Sequence, residues 1–375
     1  MKKITRPKPT GEFAVGTFTY TVYNDRPETL REHESEMRSV AARVFYPAPS
    51  DAVSSLVKAR YMTRELVEAI RKSYYVPINY DKMEANGENT MECYLNAPHV
   101  KDGKFPLIVF NHGYNSYREG NSFLCIELAS RGYVVISVAH SREALTTDLD
   151  DGTVLPFENR IKKWMYDEPL FKVVRGLNRV KKLKGTPEEK AAAIDEWQKR
   201  CCSFTNERVG EWEKDVAAAV RYAKEHFTDF IDFSCGIGAT GHSMGGAVAY
   251  ALCQDDPEYV CGINIDGALF GVHDGKVMTR PYLQINCRSH VEVVYRGFTE
   301  KTAPAYRIVF DGMQHIGFSD LKHGAPIKML MGKMDPDHMH DELCRIHLEF
   351  FDTYLKHKKE SPDFIGSKDI AIDRF

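Results

Sequence analysis

The pentapeptide Gly241-His242-Ser243-Met244-Gly245 sets a serine between two glycines, the G-x-S-x-G pattern of a nucleophile elbow. The surrounding stretch, CGIGATGHSMGGAVAYALC from Cys235 to Cys253, carries apolar Ile237 and Ala239 before the elbow and a small-residue helix after it. A serine on a sharp strand-to-helix turn needs neighbours without side chains, so that its hydroxyl stands clear and the helix packs close. The N-terminus of that helix offers backbone N–H groups to a developing oxyanion, with Met244 the first donor. An ordinary Gly-rich turn capping a helix is the plain alternative for the same residues.

A serine hydroxyl is a weak nucleophile near neutral pH; it needs a base, and the base needs an orienting carboxylate. Among 14 histidines, position must select. Residues 306–310 read as the last strand of the sheet, and Asp311-Gly312-Met313-Gln314-His315 follows, which makes His315 the expected base. His290 follows an earlier strand, and His323 is expected at the surface. Residues 259–265 read as a strand ending in Asp266-Gly267. A carboxylate at the tip of one parallel strand can reach a neighbouring loop, so Asp266 is the expected acid. The next strand, 281–286, ends in Cys287-Arg288-Ser289-His290 with no carboxylate before Glu292, the alternative acid. An aspartate capping an Asp-Gly turn is the plain reading of Asp266.

The rest of the chain must position these groups. Residues 11–24 and 36–47 alternate apolar and polar side chains and read as an antiparallel ribbon. Leu66, Ile70 and Tyr74 predict a helix over 60–75, and 76–104 reads as irregular. Pro106 to Asn111 is a buried strand ending in His112-Gly113-Tyr114, a loop suited to supply the second oxyanion donor through the backbone of Tyr114. His112 and His140 are expected as structural hydrogen-bonders. A helix over about 119–131 and a strand over 133–138 complete a β-α-β unit, the packing of a doubly wound sheet.

Between about 145 and 205 the pattern changes. Lys162, Lys163, Lys172, Arg175, Arg179, Lys181, Lys182 and Lys184 accumulate, and Thr186-Pro187-Glu188-Glu189 carries the N-cap, Pro and Glu of a helix start. This stretch is expected to be a helical cap inserted over the sheet, with the basic run as a solvated face. Helices follow at 206–227 and, with Leu343, Ile346, Phe350, Phe351 and Leu355, at about 338–356. Asp335, Asp337, His338, His340, Asp341 and Glu342 crowd its start in no standard metal spacing, and acidic residues there suit the helix dipole. The expected class is α/β: a mostly parallel, twisted sheet flanked by helices, with an N-terminal antiparallel ribbon and a cap insertion, in a single domain over 1–375.

Composition narrows the function. A net charge of −3 and pI near 6.5 give no sign of a nucleic-acid partner. No apolar segment follows Lys2 and Lys3, so no signal peptide is read, and no stretch approaches the length of a transmembrane helix. The nine cysteines are scattered without a C-x-x-C, which predicts reduced thiols and a cytoplasmic location. No cofactor and no metal are expected; the expected partner is a small-molecule ester or short-acyl lipid substrate.

At these positions the sequence resembles the platelet-activating-factor acetylhydrolase family, plasma and intracellular type II serine hydrolases of the α/β-hydrolase fold. Pro106-Leu107-Ile108-Val109-Phe110-Asn111-His112-Gly113 is similar to that family's P-L-V-V-F-S-H-G, and Gly241 to Gly246 differs from its G-H-S-F-G-G only at Met244. Ile265-Asp266-Gly267-Ala268-Leu269-Phe270 loosely matches its L-D-A-W-M-F, and Gly312 to His315 its G-x-x-H. Asn206-Glu207-Arg208-Val209 resembles the helix leading into its elbow. The likeness runs from about residue 40 to the final helix and is weakest over 145–205. It implies a metal-independent ester hydrolase with Ser243, His315 and Asp266 as its triad, acting on short acyl chains. The sequence departs from the family at Ile316, where the lipoprotein-acting members carry a polar residue. The remaining alternatives are a cutinase-like polyesterase, with its acid after the strand 281–286, and a non-catalytic binding protein on the same scaffold.

Overall fold

The computed structural model describes residues 6–324 and 327–375. The chain opens with β1 (Ala14–Pro27) and β2 (Met37–Ala48), antiparallel as expected, then β3 (Lys58–Arg60) and α1 (Arg64–Tyr74). The predicted helix over 60–75 is shorter at its start because Thr63 caps it, accepting from the Leu66 N–H. The stretch expected to be irregular holds α2 (Tyr80–Ala85) and β4 (Thr90–Leu95). Met91 and Cys93 of β4 point inward in strict alternation, and β4 pairs in parallel with β1, a partner too distant in sequence to announce itself.

Next come β5 (Phe105–Asn111), α3 (Ser122–Ser130) and β6 (Val134–Ala139). Before the sheet resumes, the chain forms a hairpin of β7 (Thr146–Asp148) and β8 (Val154–Pro156), then α4 (Ile161–Trp164), α5 (Leu170–Lys181) and α6 (Pro187–Cys201). Thr186 and Glu189 close the reciprocal capping box at the start of α6. Then α7 (Ser203–His226) leads into β9 (Ile231–His242), α8 (Met244–Asp255), β10 (Tyr259–Ile265) and β11 (Tyr282–Cys287). The chain closes with α9 (Arg296–Thr299), β12 (Ala305–Phe310), α10 (Leu321–Gly324), α11 (Lys328–Met331), α12 (Pro336–Tyr354) and β13 (Ile370–Arg374).

Eleven of the described strands form one sheet in the order β13-β12-β11-β10-β9-β5-β6-β2-β1-β4-β3. The six from β12 to β6 run parallel, with antiparallel β13 on one side and antiparallel β2 on the other. The ribbon is therefore continuous with the main sheet. Both faces of the parallel part are buried, as the near-continuous apolar strands require. Along β5, Ile108 and Phe110 join a core with Leu124 of α3 and Phe350 of α12, while Leu107 and Val109 join a second core with Val216 of α7 and Val248 of α8. This is the α/β-hydrolase arrangement, and its carboxyl strand ends form the crevice where ligands bind in open α/β sheets.

One ionic cluster ties the antiparallel strands to the helical layer. Arg38 of β2 is fully buried and donates to both Asp215 oxygens at 2.7 Å, to Glu28 at 2.8 Å and to Glu143 at 3.1 Å. Arg208 of α7 donates to the same Glu143 at 2.6 and 2.9 Å. Burial alone would raise Asp215, but the charge and hydrogen bonds of Arg38 hold it well below the usual carboxylate range. Removing one partner of such a cluster strands the others without compensation. Arg38→Met is expected to cost about 3–5 kcal/mol, read as a lower urea midpoint at unchanged slope.

Candidate active site

The elbow sits where β9 gives way to α8. Ser243 occupies φ 58, ψ −122, a backbone conformation held from two sides. Its N–H donates to the Ile265 carbonyl at 2.8 Å, and a Cβ added to Gly245 would lie 2.1 Å from the Asn111 carbonyl oxygen at the end of β5. A side chain at 245 would therefore push the elbow off β5.

Three strand ends meet here. Ser243 Oγ donates to His315 Nε2 at 2.9 Å, and His315 Nδ1 donates to Asp266 Oδ2 at 2.7 Å. Asp266 follows β10, its N–H bonded to the Ile285 carbonyl at 2.7 Å, and His315 lies five residues past β12. The alternative acid, Glu292, instead pairs with Lys190 of α6 at 2.9 Å. Asp266 is 2% exposed. Burial would raise its pKa, but hydrogen bonds from His290 and His315 hold the carboxyl far below its ordinary range.

His290 is the member of this site that position along the chain did not select. Its Nδ1 donates to Asp266 Oδ2 at 2.9 Å, and the Cys287 thiol approaches the same oxygen at 3.3 Å. The Cys287 N–H donates to Asp266 Oδ1 at 2.8 Å. Burial would lower His290, yet its hydrogen bond to Asp266, its contact with Cys287 and the Asp266 charge lift it to about 10. The spacing Cys287-x-x-His290 at the strand tip is the signal the sequence carries for it.

The second loop of the elbow also falls into place. The Gly113 backbone abuts Ser243, since a Cβ added there would lie 3.0 Å from the serine Cβ. Next to it, the Tyr114 ring stacks on Trp212 with centroids 5.8 Å apart. Among the described residues neither the Tyr114 nor the Met244 N–H bonds elsewhere in the chain. His242 donates from Nε2 to the His315 carbonyl at 2.9 Å, fixing the loop that carries the imidazole, and burial lowers its pKa to about 3.

The other singled-out histidines lie apart from this relay. His112 is buried; its Nε2 accepts from the His140 N–H at 3.1 Å and its Nδ1 donates to the Gly113 carbonyl at 2.7 Å. His140 stacks on Trp212 at 3.7 Å and bonds Asp215 at 2.9 Å. His323, expected at the surface, is buried, because α10 packs against α12 and sets its ring against Phe123 and His340. Asp335 caps α12, accepting from the Asp337 and His338 N–H groups.

Above Ser243 lies a cavity of about 330 Å³. Its walls include Met165, Tyr166, Leu177, Ile194 and Trp197 from the stretch between β6 and α7, with His290 and His315 at the polar end. Lys181, expected on a solvated face, lines this cavity and donates to the Ser289 carbonyl at 3.1 Å. Among the described residues no helix is long and apolar enough to cross a membrane.

Comparison with known proteins finds relatives that span most of the chain. The platelet-activating factor acetylhydrolase of Gallus gallus is 25% identical over 378 residues, spanning 94% of this chain and 81% of its own. That of Cavia porcellus is 27% identical over 374 residues, spanning 94% and 78%. A ferulic acid esterase from Streptomyces cinnamoneus superposes with a TM-score of 0.70 at 18% identity over 98% of both chains, a likeness of fold. The family model described as platelet-activating factor acetylhydrolase, isoform II, matches residues 1–367. With that match across nearly its whole length, the chain belongs to the platelet-activating factor acetylhydrolase, isoform II, family of hydrolases.

Proposed function

We propose that the protein is a serine carboxylic ester hydrolase using Ser243, His315 and Asp266 as its triad. The observation that carries this reading is the unbroken relay from Ser243 Oγ through His315 to Asp266, at 2.9 and 2.7 Å, beneath an apolar cavity. Ser243 attacks the ester carbonyl while His315 Nε2 takes its proton. The N–H groups of Tyr114 and Met244 receive the oxyanion, where losing one such donor costs about 2.7–4 kcal/mol of transition-state stabilisation. His315 returns the proton to the leaving alcohol, and Asp266 holds the tautomer and stabilises the imidazolium. Water activated by His315 then releases the acid from the acyl-serine, and the enzyme is regenerated.

The acyl group is short in this reading. A cavity of 330 Å³ stands at the small end of the range for ligand pockets, about 300–1,000 Å³. The segment over 145–205 acts as the cap that closes it, with α5 and α6 facing the scissile bond. An acetyl group, the acyl group in the family's name, fits these limits.

The test is hydrolysis of p-nitrophenyl esters from acetyl to palmitoyl. Activity is expected to fall with chain length and to drop about 10⁴-fold or more in Ser243→Ala and Asp266→Asn. Full activity in Asp266→Asn would place the acid elsewhere, and a folded protein inert to a fluorophosphonate probe would be a binding protein. Leu177→Ala is expected to raise kcat/KM for a longer acyl chain relative to acetyl by about tenfold, the effect of added room in an apolar pocket. An unchanged ratio would remove α5 from the acyl site.

A further inference from the structure

We propose that Asp266, Cys287 and His290 form a three-ligand site for a zinc-class divalent cation, open to the cavity, whose occupation silences Ser243. The ligand atoms of the three residues all lie within 4.8 Å of one another. Cys287 ends β11 and His290 sits three residues on, in the 3₁₀ turn Arg288–Val293. Thiol and imidazole both reach the tip of the neighbouring β10, each approaching Asp266 Oδ2.

The separations suit a tetrahedral ion. Asp266 Oδ2 lies 2.9 Å from His290 Nδ1 and 3.3 Å from Cys287 Sγ. Zinc bonds of about 2.0–2.3 Å to O, N and S give tetrahedral edges of about 3.3–3.5 Å, so outward shifts of a few tenths of an ångström admit the ion. The hydrogen bonding leaves a reason for it. Three donors, from His315, His290 and Cys287, converge on the single oxygen Oδ2, which has lone pairs for two. A cation replaces two of those protons: Cys287 loses S–H and His290 loses Nδ1–H, both protons pass to solvent, and metal–S and metal–N bonds form. A thiolate, an imidazole and a carboxylate together match the zinc ligand set. The His290 side chain is 30% exposed and lines the cavity, which supplies the entry path and a fourth position for water.

The consequence rests on the proposed function: metal charge on Asp266 cancels the negative charge that stabilises protonated His315, and acylation of Ser243 slows. Binding itself is read without activity, by competition for Zn²⁺ with a chromophoric chelator of micromolar affinity. Wild type is expected to take one zinc per chain, and Cys287→Ser and His290→Gln to bind at least tenfold more weakly, with folding checked by circular dichroism. Co²⁺ is expected to give thiolate charge-transfer absorption in wild type and none in Cys287→Ser. Fluorophosphonate labelling, taken for each protein as the ratio of rates with and without Zn²⁺, is expected to fall at least tenfold in wild type, recover with EDTA and stay near one in both variants. Variants that match wild-type zinc affinity, or a wild type that draws no zinc from the chelator, would overturn the site. Metal-free wild type that fails to label would instead sink the hydrolase reading and leave the zinc result standing.

Discussion

The charge on one buried carboxylate organises the end of the sheet that carries Ser243. Asp266 is removed from water, and an isolated carboxylate there would take up a proton and lose its use. Its oxygens are instead matched from three directions: His315 after β12, His290 and Cys287 at the end of β11, and the Asn286 amide at 3.4 Å. Those contacts exist only because β10, β11 and β12 are parallel neighbours whose carboxyl ends lie level. The sheet order is thus the condition under which a charged aspartate can be kept dry.

Compensation of buried charge recurs on the other side of β5. Asp215 of α7 accepts from Arg38, Arg26 and His140, and His140 in turn packs on Trp212, against which Tyr114 is stacked. The loop after β5 is therefore held by a rigid aromatic stack seated on an ionic cluster. In the proposed reaction, an oxyanion donor supplied by that loop would need no reorganisation, which is where electrostatic preorganisation has its value.

The chemistry-bearing turns were the legible part of the sequence because each is local. A strained elbow demands its glycines within a few residues, and the strands before Asp266 and His315 are short apolar runs followed by polar turns. The rest depends on partners far along the chain. β4 is six residues joined to the main sheet through distant β1, and His323 is buried because α12 returns across it. His290 belongs with them, because its distance to Asp266 is set by the β10–β11 register, which no local pattern encodes. Lys181 sits in a run of cations that composition alone marks as solvated, and only the packing of α5 shows one face turned toward the cavity.

The two margins of the sheet share a property that bears on self-association. A wide sheet with open edges is a template for pairing with other chains. Here one margin is β3, three residues long with charged Lys58 and Arg60, and the other is β13, five residues long and ending in Asp373 and Arg374. Arg307 of β12 reaches across to Asp373 at 2.7 Å, pinning that last strand in place. Each margin is short and carries charge, two features that oppose edge-to-edge pairing with a neighbouring chain.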